Sequence, residues 1–167
     1  MKRVIGVLIA AVIFTSFGFY LGKIQQNVVW AKEHMEELRE GTELVINDID
    51  TVLRTSDSKT QDFYIRSAAQ KFQALGGEFD AVSEILFGED YLTAEWGYIS
   101  SVLSDMKTPL SESEKDFLCQ LQDANHSLLE ELNAFEEEKY FWIYYDDELG
   151  KTIKPYREKL EHLVRSR

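Results

Sequence analysis

Residues 24–52 read IQQNVVWAKEHMEELREGTELVINDIDTV, and their spacing decides the fold. Apolar or small residues recur at Ile24, Val28, Ala31, Met35, Leu38, Thr42, Val45, Ile49 and Val52, in alternating steps of four and three. A stripe of that period lies along one side of an α-helix. Carried backwards, the same register meets Leu21, Phe17 and Phe14. The spacing therefore predicts one continuous helix from the N-terminal region to about Arg54. Up to Thr42 the stripe is narrow, flanked by Gln25, Lys32 and Arg39; beyond Gly41 it broadens with Ile46 and Leu53. A narrow seam suits a stalk, and a broad face suits a packed bundle. The seam allows a weak homodimer through the stalk.

Before this stripe lies an uncharged run, VIGVLIAAVIFTSFGFYL, from Val4 to Leu21, preceded by Lys2 and Arg3. A helix rises about 1.5 Å per residue, so Val4–Gly22 reaches about 28 Å, close to the thickness of a bilayer core. Its apolar residues (Val4, Ile5, Val7, Leu8, Ile9, Val12, Ile13, Phe14, Phe17, Phe19, Tyr20 and Leu21) are expected to form a single-pass membrane anchor, with Tyr20 at the interface. The alternative is a cleaved secretory signal. Lys2-Arg3 then forms the charged start, Val4–Phe14 the apolar segment, and Ser16-Phe17-Gly18 the cleavage region. Continuation of the apolar run through Phe19, Tyr20 and Leu21 favours the anchor, with residues 23–167 outside the cytoplasm. The expected division is 1–22 cytoplasmic stub and anchor, 23–42 helical stalk, and 43–167 acidic helical bundle.

The formal net charge of the chain is −12. Residues 1–22 carry Lys2 and Arg3 and no acid, so the remaining 145 residues hold 16 Lys and Arg against 30 Asp and Glu, a net −14. Nucleic-acid phosphates require a basic surface, so nucleic acid is excluded as a partner class. Residues 150–167 hold six of the cations against two acids, and this basic end is expected to pack on the acidic body. Cys119 is the single cysteine, so no internal disulfide can form and the core alone must hold the domain.

The rest of the chain reads as helices. Thr55-Ser56-Asp57-Ser58 supplies capping residues for a second helix through Ile65, Ala68, Phe72, Leu75, Phe79, Val82 and Leu86. Gly76-Gly77 within it predicts a kink or a close helix approach. A third helix, from about Asp90 to Asp105, carries Leu92, Trp96, Ile99, Leu103 and Met106. Ser111 and Glu114 form a capping-box pattern for a fourth, through Phe117, Leu121, Ala124, Leu128, Leu132 and Phe135. A last amphipathic helix carries Ile153, Tyr156, Leu160 and Leu163. The fold class is all-α: an N-terminal transmembrane helix continuing into an antiparallel bundle of about four to five helices.

Between two acidic triplets stands Tyr140-Phe141-Trp142-Ile143-Tyr144-Tyr145. Large residues at six consecutive positions cover every side of a helix, as in a segment buried all round. The other reading makes Tyr140, Phe141, Trp142, Tyr144 and Tyr145 a partner surface, since aromatic residues dominate interface hot spots. The flanking acids would then steer a basic protein partner.

Three constellations could carry chemistry. Cys119, Asp123 and His126 share one face of the fourth helix, but positions seven apart are separated by about 10.5 Å along a helix axis, too far for a thiol and its base. A di-iron bundle site needs two Glu-x-x-His pairs and two further glutamates. Asp123-x-x-His126 is one approximate match, Glu158 and His162 stand four apart, and His34 sits alone among the stalk glutamates. Asn125-His126-Ser127 is a glycosylation pattern with meaning only in a eukaryotic secretory pathway. No catalytic residue, metal ligand set or cofactor is expected.

The order of a short basic start, a membrane helix, a long first helix and an acidic bundle resembles the N-terminal region of the spore-germination accessory proteins of Bacillus-type bacteria, which partner a cortex-lytic enzyme. The local likeness runs from Tyr91-Leu92 through Pro109-Leu110-Ser111-Glu112-Ser113-Glu114-Lys115 to Leu118, Leu121, Leu128 and Glu131-Leu132, about a quarter of the chain. That family continues into C-terminal domains for which this chain has no room. The resemblance implies a non-enzymatic membrane partner protein. The expectation is a bacterial cell-membrane protein whose extracytoplasmic bundle serves protein interaction or scaffolding. A metal-dependent bundle enzyme through Asp123, His126 and Glu158 or His162, or a ligand sensor, is the alternative.

Overall fold

The computed structural model describes residues 2–87, 93–135 and 145–165, with side chains for 13–26, 29–30, 32–80, 95–135, 150–151 and 153–165. Five helices occupy them: α1 (Lys2–Arg54), α2 (Ser58–Phe87), α3 (Thr93–Asp105), α4 (Glu112–Ala134) and α5 (Tyr145–Arg165). All described elements are helical, as the periodicity requires. α1 packs on α2 and α4, α2 on α3, α4 on α5, and α3 on α5, so the helices close a ring in the order α1, α2, α3, α5, α4.

α1 is a single helix of 53 residues, continuous from Lys2 to Arg54. Met35, Leu38, Val45, Ile49 and Val52 are fully buried, and so is Thr42, whose hydroxyl donates to the Leu38 carbonyl at 2.6 Å. Among the described side chains of this register, full burial begins at Met35, within residues 23–42. From there to Thr42 the heptad seam is covered within the bundle. Towards the N-terminus, Ile13, Phe14, Phe17, Phe19 and Tyr20 are exposed. Among the residues whose side chains are described, which begin at Ile13, no helix is long and apolar enough to cross a membrane.

α1 ends where Gln61 of α2 reaches back: its Nε2 donates to the Thr55 and Val52 carbonyls at 3.0 and 3.4 Å. That satisfies acceptors a helix end leaves open. Asp57 caps α2, accepting from the Thr60 amide at 2.9 Å and its hydroxyl at 2.6 Å. These bonds, the hydroxyl's foremost, hold the Asp57 carboxyl below its usual range. Ser111 and Glu114 complete both halves of the capping box at the start of α4. α5 continues through Gly150 and Pro155, residues that read as punctuation, and buries Ile153, Tyr156, Leu160 and Leu163 as its spacing required.

Two glycines set how closely the helices approach. A Cβ on Gly41 would lie 2.6 Å from Leu75 Cδ2, so α1 leaves a slot between Leu38 and Val45 for Leu75 of α2. A Cβ on Gly76 would lie 3.1 Å from Trp96 Cβ and 3.2 Å from its Cγ. Gly76 stands between Phe72 and Phe79, and Trp96 of α3 fills the space: its ring lies 4.2 Å from Phe72 and 5.1 Å from Phe79. Tyr156 of α5 joins the cluster, 5.8 Å from Trp96 and 6.0 Å from Phe79. Gly76 thus produces the close approach, and α2 runs through the Gly76-Gly77 pair unbroken.

One polar pair lies inside the core. Asn125 is fully buried; its Nδ2 donates to the Leu121 carbonyl at 2.7 Å, and its Oδ1 accepts from the Tyr156 hydroxyl at 3.1 Å. Desolvation raises the Tyr156 pKa well above its ordinary value. At the periphery Asp48 and Lys71 pair at 2.7 Å between α1 and α2, the carboxylate almost completely buried.

The aromatic run Tyr140–Tyr145 lies outside the described residues except for the backbone of Tyr145, which opens α5.

The neighbouring glycines should respond oppositely to alanine. A Cβ on Gly77 meets nothing within 4 Å, so Gly77→Ala should stabilise by about 0.5–1 kcal/mol through helix propensity. At Gly76 the obstacle is a buried tryptophan held by three rings. Overpacking costs about 1–3 kcal/mol, which exceeds the propensity gain, so Gly76→Ala should destabilise in urea unfolding.

Tyr156→Phe leaves the Asn125 Oδ1 buried without its donor, and should cost about 1–3 kcal/mol at neutral pH. The native tyrosine titrates above its unfolded counterpart, so its contribution is complete below about pH 10 and declines as pH rises beyond it. Urea unfolding of both proteins from pH 8 to 11 should show their stability difference shrinking above pH 10.

Candidate functional site

His34, Glu37 and Glu78 come together where α1 leaves the bundle. His34 and Glu37 stand one turn apart on α1, and Glu78 comes from α2. Their backbones are fixed from below: Met35 and Leu38 beside the first two, and Phe79 beside the third, are fully buried. His34 Nδ1 lies 2.5 Å from Glu78 Oε2 and 3.3 Å from Glu37 Oε2. One ligand-type atom from each residue fits within a 4.8 Å span. The Trp30 ring lies 3.7 Å from the His34 imidazole, centroid to centroid, and restricts its rotation. The side chains are 19%, 62% and 32% exposed for His34, Glu37 and Glu78, so the cluster opens to solvent on the Glu37 side.

A turn further along α1, Arg39 secures the end of α4. Its Nε and one terminal nitrogen both donate to the Leu132 carbonyl, at 3.1 and 3.0 Å. This carbonyl belongs to the last turn of α4, where intrahelical donors run out. α1 therefore holds α4 through Arg39 and meets α2 through His34, within two turns of each other.

The residues singled out by sequence take different places. Cys119, Asp123 and His126 are all exposed on α4, and among the described residues no hydrogen bond or ion pair joins them. Asp123 does meet α5: with Gln120, Ala124, Lys159, His162 and Leu163 it lines an open groove of about 220 Å³. His162 also borders a second shallow depression with Glu158, Glu161 and Arg165. His126 lines neither of these two. Of the basic end, Arg157 and Arg165 pair with Glu161 of their own helix at 3.1 and 3.4 Å. Asn125 is inside the core, so the Asn125-His126-Ser127 pattern presents no acceptor in the folded protein.

Sequence reasoning named His34 and missed its partner. Glu37, at the i+3 spacing of helix neighbours, was a legible signal. Glu78, 44 positions away, was not.

Comparison with protein families, with curated proteins and with solved structures finds no match to this chain.

Proposed function

We propose that the chain is a membrane-anchored extracytoplasmic helical bundle of a bacterial envelope, acting as a non-catalytic protein-interaction or scaffolding module. The observation that carries this reading is the continuity of α1. One helix joins the uncharged run Val4–Leu21 to the core of the bundle. Phe14 is 76% and Phe17 59% exposed, whereas the same register from Met35 to Val52 is fully buried. Large apolar side chains on a helix that its own fold leaves uncovered belong in another apolar environment. A helix suits hydrocarbon because it pairs its backbone groups internally. With Lys2 and Arg3 before the run and Lys23 and Lys32 after it the count is even, and we take the N-terminus as inside, which places the acidic body outside.

The bundle supplies the module. It is closed by a continuous core, and its exposed charge is predominantly acidic, which favours basic partners. The aromatic run Tyr140–Tyr145 between acidic triplets is the surface we assign to the partner, with Trp142 as its anchor.

Two measurements test this reading. In membrane fractionation the full chain should sediment with membranes, resist salt extraction, and expose a C-terminal tag to protease in spheroplasts. A tag protected in spheroplasts, or a salt-extractable protein, overturns it. For the partner surface, Trp142→Ala should melt within a few degrees of wild type and lose the co-purifying basic protein. A variant weakened by about 3–5 kcal/mol, the cost of truncating a core tryptophan, that still retains the partner would place Trp142 in the core instead.

A further inference from the structure

We propose that His34, Glu37 and Glu78 form a binding site for a divalent transition-metal ion of the zinc class, which staples α1 to α2 where α1 leaves the bundle. The inference rests on the described geometry of these three side chains and is independent of where the protein resides.

The donor set selects the class of ion. Imidazole suits zinc, iron, copper and nickel, and carboxylates complete mixed nitrogen–oxygen sites for such metals. Calcium takes six to eight oxygen ligands and magnesium a near-regular octahedron of oxygens, which one nitrogen and two carboxylates do not provide. Three protein ligands on zinc leave a position for water.

The distances suit it. Two ligands on a tetrahedral zinc, each about 2.1 Å from the ion, stand about 3.4 Å apart. His34 Nδ1 and Glu37 Oε2 are 3.3 Å apart already. The contact between His34 Nδ1 and Glu78 Oε2, at 2.5 Å, is a hydrogen bond. Opening it by about 1 Å makes room for an ion, and Glu78 has the side-chain freedom to do so because it is partly exposed. To bind through Nδ1 the neutral ring carries its one proton on Nε2, so any proton on Nδ1 is given up and the Nδ1 lone pair bonds the metal. Trp30 restricts the imidazole, and the buried residues beside each ligand keep the three backbones in place, so little ordering remains for the ion to impose.

The test uses the untagged full chain in detergent micelles, stripped with chelator and desalted, and titrated calorimetrically with zinc chloride. One ion per chain is expected, with calcium and magnesium not competing at millimolar concentration. Loss of an outer-shell partner alone weakens metal affinity about 10–100-fold, so His34→Ala and Glu78→Gln, each removing a direct ligand, should weaken it at least about tenfold. Zinc should raise the melting temperature of wild type and leave that of both variants unmoved. His162→Ala, at the groove between α4 and α5, should bind as wild type does. Glu78→Gln keeps the size of the side chain, so its metal-free circular dichroism and melting should match wild type, and it carries the test if His34→Ala folds poorly. Absence of saturable zinc binding, unchanged affinity in His34→Ala and Glu78→Gln, or a loss confined to His162→Ala overturns the proposal.

Discussion

The bundle depends on the burial of one face of α1. Met35, Leu38, Thr42, Val45, Ile49 and Val52 present a stripe with no measurable exposure. Full burial of an aliphatic side chain of this size contributes about 1.5–3 kcal/mol. α1 packs on both α2 and α4, and these in turn carry α3 and α5. With a single cysteine in the chain there is no disulfide to share the task.

Around that stripe the fit is set by what is missing as much as by what is present. Gly41 admits Leu75 between two buried residues of α1, and Gly76 admits Trp96 between two phenylalanines of α2. A glycine in a helix interior costs about 1 kcal/mol against alanine, and closer packing between helices offsets that. Trp96 then gathers Phe72, Phe79 and Tyr156, joining α2, α3 and α5 in one aromatic cluster. Tyr156 extends this cluster to α4 through its bond to Asn125. This polar contact gives the α4–α5 pairing a defined register, because any slip would leave both groups buried and unsatisfied.

The outer surface follows a different logic. A net charge of −12 keeps such a body solvated and separates it from anionic surfaces. Where cations do appear among the acids, two make connections between helices: Lys71 to Asp48, and Arg39 to the end of α4. His34 belongs to the same group by position, linking α1 to α2 at the boundary between its covered and uncovered lengths.

By itself the sequence determined the elements and their inward faces. The heptad of α1, the Ile65–Phe79 face of α2, the caps at Asp57 and Ser111, and the Ile153–Leu163 face of α5 were all legible, because each depends on neighbours within a few positions of one helix. The unusual character of Val4–Leu21 was equally plain from its lack of charge. Only the tertiary structure decided which faces meet. It turned Gly76 towards Trp96 and Gly77 to open space, put Asn125 of an apparent surface motif inside the core, and set Asp123 in a groove with Lys159 and His162 of α5. It also brought Glu78 to a histidine that looked solitary. Each of these depends on the axial register and rotation of one helix against another. Packing of many side chains at once determines both, and no local period in the chain records them.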